Sequence, residues 1–216
     1  MNELSLLQKF AIWVLPVVFA ITVHEVAHGW VALRLGDKTA SRLGRLTLNP
    51  IKHIDPVGTI LIPGILLALS SGFIFGWAKP VPVDPRAFRK PRQHMAIVAL
   101  AGPVANLLMA LAWALWVRLG VSLDIAYFTL PMIYTGVAGI TINLVLMLIN
   151  LLPIPPLDGG RVLLGVLPTP LAYALSRIEP YGFIILLVLL YSNVISGLLQ
   201  QPMMLGQQWL AAVAGL

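Results

Sequence analysis

Cysteine is absent from the 216 residues. That excludes disulfides and thiolate ligands, so any metal must be held by histidine and carboxylate. Charge is scarce as well. Asp, Glu, Lys and Arg make up 10% of the chain, against about 25% in a typical soluble domain. There are eight acidic residues and four histidines, few enough to consider each as a ligand or acid–base group. No internal repeat or low-complexity tract occurs, which counts against the repeated broken helices of transporters. The length suits one membrane-embedded domain over residues 1–216 and leaves no room for a large soluble appendage.

Apolar residues are abundant. They form 59% of the chain, with a mean hydropathy of +0.91. Apolar runs fall at about 10–33, 57–77, 95–118, 126–152 and 181–200, with a short helix expected near 158–167. A tail over 203–215 reads as an interfacial helix around Trp209, so 180–216 is expected to hold a last span and that tail. A cleaved signal peptide is not expected, because Lys9 is the only basic flank. The fold class expected is an all-α integral membrane bundle with short extended or β connectors on the cytoplasmic side.

Two connectors fix the orientation. Residues 34–56 carry Arg34, Lys38, Arg42, Arg45 and Lys52, and residues 78–93 carry Lys79, Arg86, Arg89, Lys90 and Arg92. Both belong on the cytoplasmic side by the positive-inside rule. The net charge of +6 therefore reflects membrane topology, and nucleic acid is not an expected partner. If both connectors are cytoplasmic, the run at 57–77 is a re-entrant hairpin, broken at Pro63-Gly64 and Ser70-Ser71-Gly72. A tilted span is the alternative, since 21 residues are long enough to cross.

The first apolar run contains His24-Glu25-Val26-Ala27-His28. Ionisable groups inside a span are costly and call for a functional explanation. On a helix, His24 and His28 share one face and one metal, and Glu25 lies beside it as a base. H-E-x-x-H on a helix is the zinc-protease signature. Catalytic zinc takes three protein ligands. Asp158, in the proline- and glycine-rich block NLLPIPPLDGGR (150–161), is the third candidate, although capping the next helix would also explain it. His94 and His53 are the fallback ligands. Asn106 and Asn143, polar residues within spans, read as interhelical hydrogen-bond partners. Ala101, Gly102 and Ala105 read as packing residues.

Three blocks together, H-E-V-A-H (24–28), A-G-P-V-A-N (101–106) and N-x-x-P-x-P-P-L-D-G-G-R (150–161), resemble the site-2 protease family of intramembrane zinc metalloproteases. The resemblance covers about residues 10–165 and is strongest to short prokaryotic members without a PDZ or CBS domain. It implies one Zn2+ per chain on His24, His28 and Asp158, Glu25 as catalytic base, and Asn150 near the metal, holding substrate or transition state. A role for Asn150 in satisfying broken-helix backbone is equally open. The implied localisation is a multi-pass protein of a prokaryotic cytoplasmic membrane. The implied partners are the lipid bilayer and a transmembrane protein substrate. Such a substrate must unwind, and an extended peptide could add to a strand edge. The run Lys79, Pro80, Val81, Pro82 and Val83 is the candidate edge, with RLGRLTL (42–48) a second and an extended linker the plain alternative. The competing function is a membrane metal-binding or transport protein without hydrolytic activity.

Overall fold

The computed structural model describes residues 4–68 and 76–216. The elements are α1 (Leu6–Arg34), α2 (Thr39–Arg42), α3 (Ile62–Ala68), α4 (Pro91–Leu123), α5 (Thr129–Asn150), α6 (Asp158–Val166), α7 (Thr169–Ser176), α8 (Gly182–Tyr191) and α9 (Val194–Ala214). Among the described residues there is no strand. Helix α1 starts at a capping box, in which Ser5 Oγ accepts from the Gln8 N–H and Gln8 Oε1 accepts from the Ser5 N–H. It ends at Gly36, whose φ of +113° suits glycine. Among the described residues, four stretches are long and apolar enough to cross a bilayer: Leu6–Arg34, Pro91–Leu123, Thr129–Asn150 and Thr169–Tyr191. The protein is a multi-pass membrane protein, as its hydropathy leads one to expect.

Helix α4 is the centre of the bundle and packs against α1, α5, α6 and α9. Small residues let it approach closely. Ala110 and Ala114 are fully buried beside Val117, Ile140, Leu144, Leu210 and Ala214. Gly136 and Gly139 of α5 leave space for Val117 and the Trp113 ring. A second cluster, Ala32, Phe88 and Val98, joins the end of α1, the second connector and α4.

The two basic connectors are tied to each other. Asp37, fully buried, accepts from the Thr39 and Asp84 N–H groups at 2.8 Å each. Arg45 Nη2 donates to the Lys79 carbonyl at 2.9 Å, and the Lys79 N–H donates to the His53 carbonyl at 2.9 Å. The Asp84 carboxyl is held below its ordinary range, chiefly by hydrogen bonds from Arg86. The run at 57–77 opens with a π-type turn over Pro56–Leu61, capped by Asp55. Its ends meet: the Trp77 N–H donates to the Gly58 carbonyl at 3.1 Å, and Thr59 Oγ1 to the Trp77 carbonyl at 2.9 Å. A crossing would separate those ends by about 30 Å. The described ends of this run therefore lie together, which counts against a crossing. The Ser70-Ser71-Gly72 break lies outside the described residues.

The C-terminal boundaries differ from those expected. Helix α8 stops at Tyr191, and Asn193 takes a left-handed conformation, φ +60°. The apolar residues on both sides of Ser192-Asn193 hide this break from a hydropathy reading. The last helix is not a free interfacial tail. It runs from Val194 to Ala214 and buries Leu210 and Ala214 in the main core.

Candidate active site

Helix α1 carries His24 and His28 on the side facing α4, and Glu25 faces Val81 of the second connector. Asp158 is the first residue of α6, which follows the turn 151–157. Gly159 and Gly160 bring that turn close. A β-carbon on either would meet backbone atoms of Leu151, Leu152, Ile154 or Pro155 at 2.3–2.8 Å. Asp158 is thus held against the histidines. Its Oδ2 lies 3.2 Å from Nε2 of both His24 and His28, and the two Nε2 atoms are 3.0 Å apart. His24 and Asp158 are buried, at 8% and 7% exposure.

The protonation of the rings follows from their other nitrogens. His28 Nδ1 is 2.7 Å from the Val98 carbonyl, an acceptor only, so Nδ1 carries the proton. His24 Nδ1 is 2.6 Å from Asn106 Oδ1 and donates likewise. Both Nε2 atoms then point into one small space with Asp158 Oδ2, and each neutral ring presents a lone pair there. Oδ2 is itself buried without a hydrogen-bond partner. Three donor atoms gathered in one buried site could hold a cation among them. Ligands on a tetrahedral zinc with bonds of 2.0–2.2 Å lie about 3.3 Å apart. The observed spacings fit, as does the N2O donor set with one position left for water. Among the described residues this is the one group of three such side chains that could hold a metal.

Gly102 of α4 makes the room. A β-carbon there would lie 2.4 Å from His24 Cε1 and 2.6 Å from His28 Cε1. Gly102 is expected to be a helix-packing residue, but its neighbours are the His24 and His28 rings.

The site opens into a cavity of about 150 Å³ lined by His24, Glu25, His28, Asn150, Asp158 and Arg161, and by Pro80, Val81 and Val83 of the second connector. Glu25 Oε2 accepts from the Val81 N–H at 2.8 Å. Asn150 reaches the cavity, and its Nδ2 donates to the Leu146 carbonyl of its own helix at 3.0 Å. A larger depression of about 560 Å³, between the start of α4 and the end of α6, holds Lys90, Arg92 and Gln93 but none of His24, Glu25, His28 and Asp158. Donor chemistry, and not size, makes the smaller cavity the candidate site.

The fallback ligands lie elsewhere. His53 is buried in the first connector, where Nε2 donates to the Thr47 carbonyl at 2.9 Å. His94 packs edge-on against Phe88. Residues 79–83 run along the cavity without forming a strand, and neither does 42–48. Residues 79–83 are loop, whereas 42–48 begin at the last residue of α2 and pass through a turn at Leu43-Gly44, so the extended-linker alternative does not describe the second segment. Sequence reasoning missed the Val98 carbonyl, the Val81 N–H and the role of Gly102. A signal for the last was available, since Gly102 and Asn106 lie at i and i+4, on one face of α4.

Apolar spans that enclose two histidines, an aspartate and a neighbouring glutamate define a membrane metallohydrolase. Known proteins carry this further. The chain is 45% identical over 181 residues to "Putative zinc metalloprotease YwhC" of Bacillus subtilis, covering 82% of this chain and 78% of that one. It is 31% identical over 196 residues to the Rip2 protein of Mycolicibacterium smegmatis, given the same description, covering 88% and 70%. It is 30% identical to Rip2 of Mycobacterium tuberculosis H37Rv over 82% of this chain and 66% of that one. No family model and no solved structure matches it. The chain belongs to the site-2 protease family, as a zinc-dependent metalloprotease.

Proposed function

We propose that the protein hydrolyses peptide bonds within or beside transmembrane segments of membrane-protein substrates, in regulated intramembrane proteolysis. The observation that carries this is the position of the site: His24, Glu25 and His28 belong to an apolar span and share one buried cavity with Asp158. A folded soluble loop has no easy route there, whereas a locally unwound helix arrives through the bilayer. His24, His28 and Asp158 would hold the zinc, which when bound acidifies water and polarises a carbonyl.

Glu25 accepts the proton of the attacking water and returns it to the leaving nitrogen. The Val81 N–H orients that carboxylate. Asn150 lies across the cavity, where its amide can turn from the Leu146 carbonyl to the substrate's developing oxyanion. Pro80, Val81 and Val83 border the cavity where an extended substrate would run, and Lys79–Val83 is the segment assigned to hold it. The partners are a single-span substrate and the surrounding lipid.

The test incubates detergent-purified protein with a panel of single-span substrates, with and without a chelator. Chelation should abolish cleavage. Glu25→Gln keeps the shape of the side chain but cannot accept the proton, so it should retain zinc and lose hydrolysis. Full cleavage by Glu25→Gln would remove Glu25 from the mechanism. Zinc binding without hydrolysis of any substrate in the panel would favour a metal-binding or transport protein.

A further inference from the structure

The polar residues inside α4 and α5 form a directed chain that ends on a ligand ring. Asn143 Nδ2 donates to the Gly139 carbonyl at 2.9 Å. Because a carbonyl only accepts, this bond fixes the orientation of the Asn143 amide and turns its Oδ1 toward Asn106. Asn106 Nδ2 donates to that oxygen at 2.8 Å and lies 3.5 Å from the Ala20 carbonyl. The second amide is thereby fixed too, and its Oδ1 faces His24 Nδ1 at 2.6 Å. Both asparagines are fully buried, so no water competes for any of these bonds.

From this chain we infer that Asn106 is the positioning residue for His24, and that Asn143 positions Asn106. Together they place the His24 proton on Nδ1 and aim the Nε2 lone pair at Asp158 and His28. The inference rests on His24 being a zinc ligand. An asparagine does this without placing a second carboxylate beside Asp158, where an additional buried charge would be costly. His28 needs no such chain, because the Val98 carbonyl holds its Nδ1 directly. Partners of this kind orient metal-bound histidines, and their loss lowers metal affinity by about 10–100-fold.

The experiment measures zinc affinity by chelator competition for the full-length protein in detergent, using its folded, monodisperse fraction. Asn106→Leu keeps the volume and removes the acceptor, and should weaken zinc by about 10–100-fold. Asn106→Gln keeps a neutral amide, with an oxygen that can accept from His24 and an NH2 that can donate to Asn143, and should recover part of that loss. Asn143→Leu should have a smaller effect, and adding it to Asn106→Leu should cost nothing further, since both act through one chain. A zinc-free readout is 15N NMR of histidine-labelled protein. The His24 signal should report a proton on Nδ1 in the wild type and mixed tautomers in Asn106→Leu.

Wild-type affinity and unchanged nitrogen shifts in Asn106→Leu would overturn the inference. Equal losses in Asn106→Leu and Asn106→Gln with unchanged His24 nitrogen shifts would also overturn it, because packing would then be responsible. If His24→Ala binds zinc as tightly as the wild type, the ligand assignment fails, and the inference with it.

Discussion

Gly102→Ala should disable the enzyme while leaving its bundle folded. The added methyl carbon would sit 2.4 Å from His24 Cε1, 2.6 Å from His24 Nε2 and 2.6 Å from His28 Cε1. Carbon atoms settle at about 3.5–4.0 Å, so the rings must retreat by about 1 Å. Neither ring is free to do so: His24 is held by Asn106 at 2.6 Å and His28 by the Val98 carbonyl at 2.7 Å. Either the ligand triangle opens or α1 moves away from α4. Overpacking of this kind costs about 1–3 kcal/mol of stability, which a large bundle tolerates. A misplacement near 1 Å at reacting groups costs about 100-fold in rate. The assay pairs the initial rate on a single-span substrate with zinc content by metal analysis and a thermal unfolding midpoint. Gly197→Ala is the control, because its methyl would meet open space on α9, and it should leave both rate and zinc unchanged. Full zinc and a rate within a few-fold of wild type in Gly102→Ala would refute the argument that this glycine makes room for the ligands.

His24→Ala, His28→Ala or Asp158→Ala should each sharply lower zinc content, whereas His94→Ala should leave it intact. Metal analysis decides, and full zinc in Asp158→Ala would move the search for a third ligand elsewhere. Ser41→Cys and Arg89→Cys, made singly in a chain with no native cysteine, should both react with an impermeant label from the cytoplasmic side; labelling from opposite sides would contradict the connector contacts through Asp37. Asp37→Ala strands two backbone N–H groups and should cost about 2–3 kcal/mol, read as a lower unfolding midpoint and faster proteolysis at 78–90; an unchanged midpoint would mean the Asp84 contact is dispensable. In a substrate span, replacing glycine, proline or asparagine away from the cut with leucine should slow cleavage, because unwinding then costs more. Equal rates for the matched pair would count against unwinding as the limiting step.

Local pattern explains why much of this was legible in the chain. His24 and His28 share a face because a helix repeats every 3.6 residues, wherever that helix packs. Membrane spans are recognisable because their length and apolarity answer to the bilayer and not to partners. Asp158 stood out because a helix-stopping proline run and two glycines surround one carboxylate. The break at Asn193 was not legible, since apolar residues continue on both sides and the left-handed turn leaves no hydropathy trace.

The sequence alone therefore determined the membrane class, the H-E-x-x-H pair and its metal chemistry, all properties of neighbouring residues. Tertiary structure alone decided how the site is held. Asn106 meets His24 across 82 residues of sequence, Val98 meets His28 across 70, and Val81 meets Glu25 across 56. It also brought Gly58 beside Trp77, so that the described ends of the second apolar run lie together. No periodicity encodes such pairings. They arise when α1 and α4 close to the distance that Gly102 permits, and that distance is set by packing over the whole bundle.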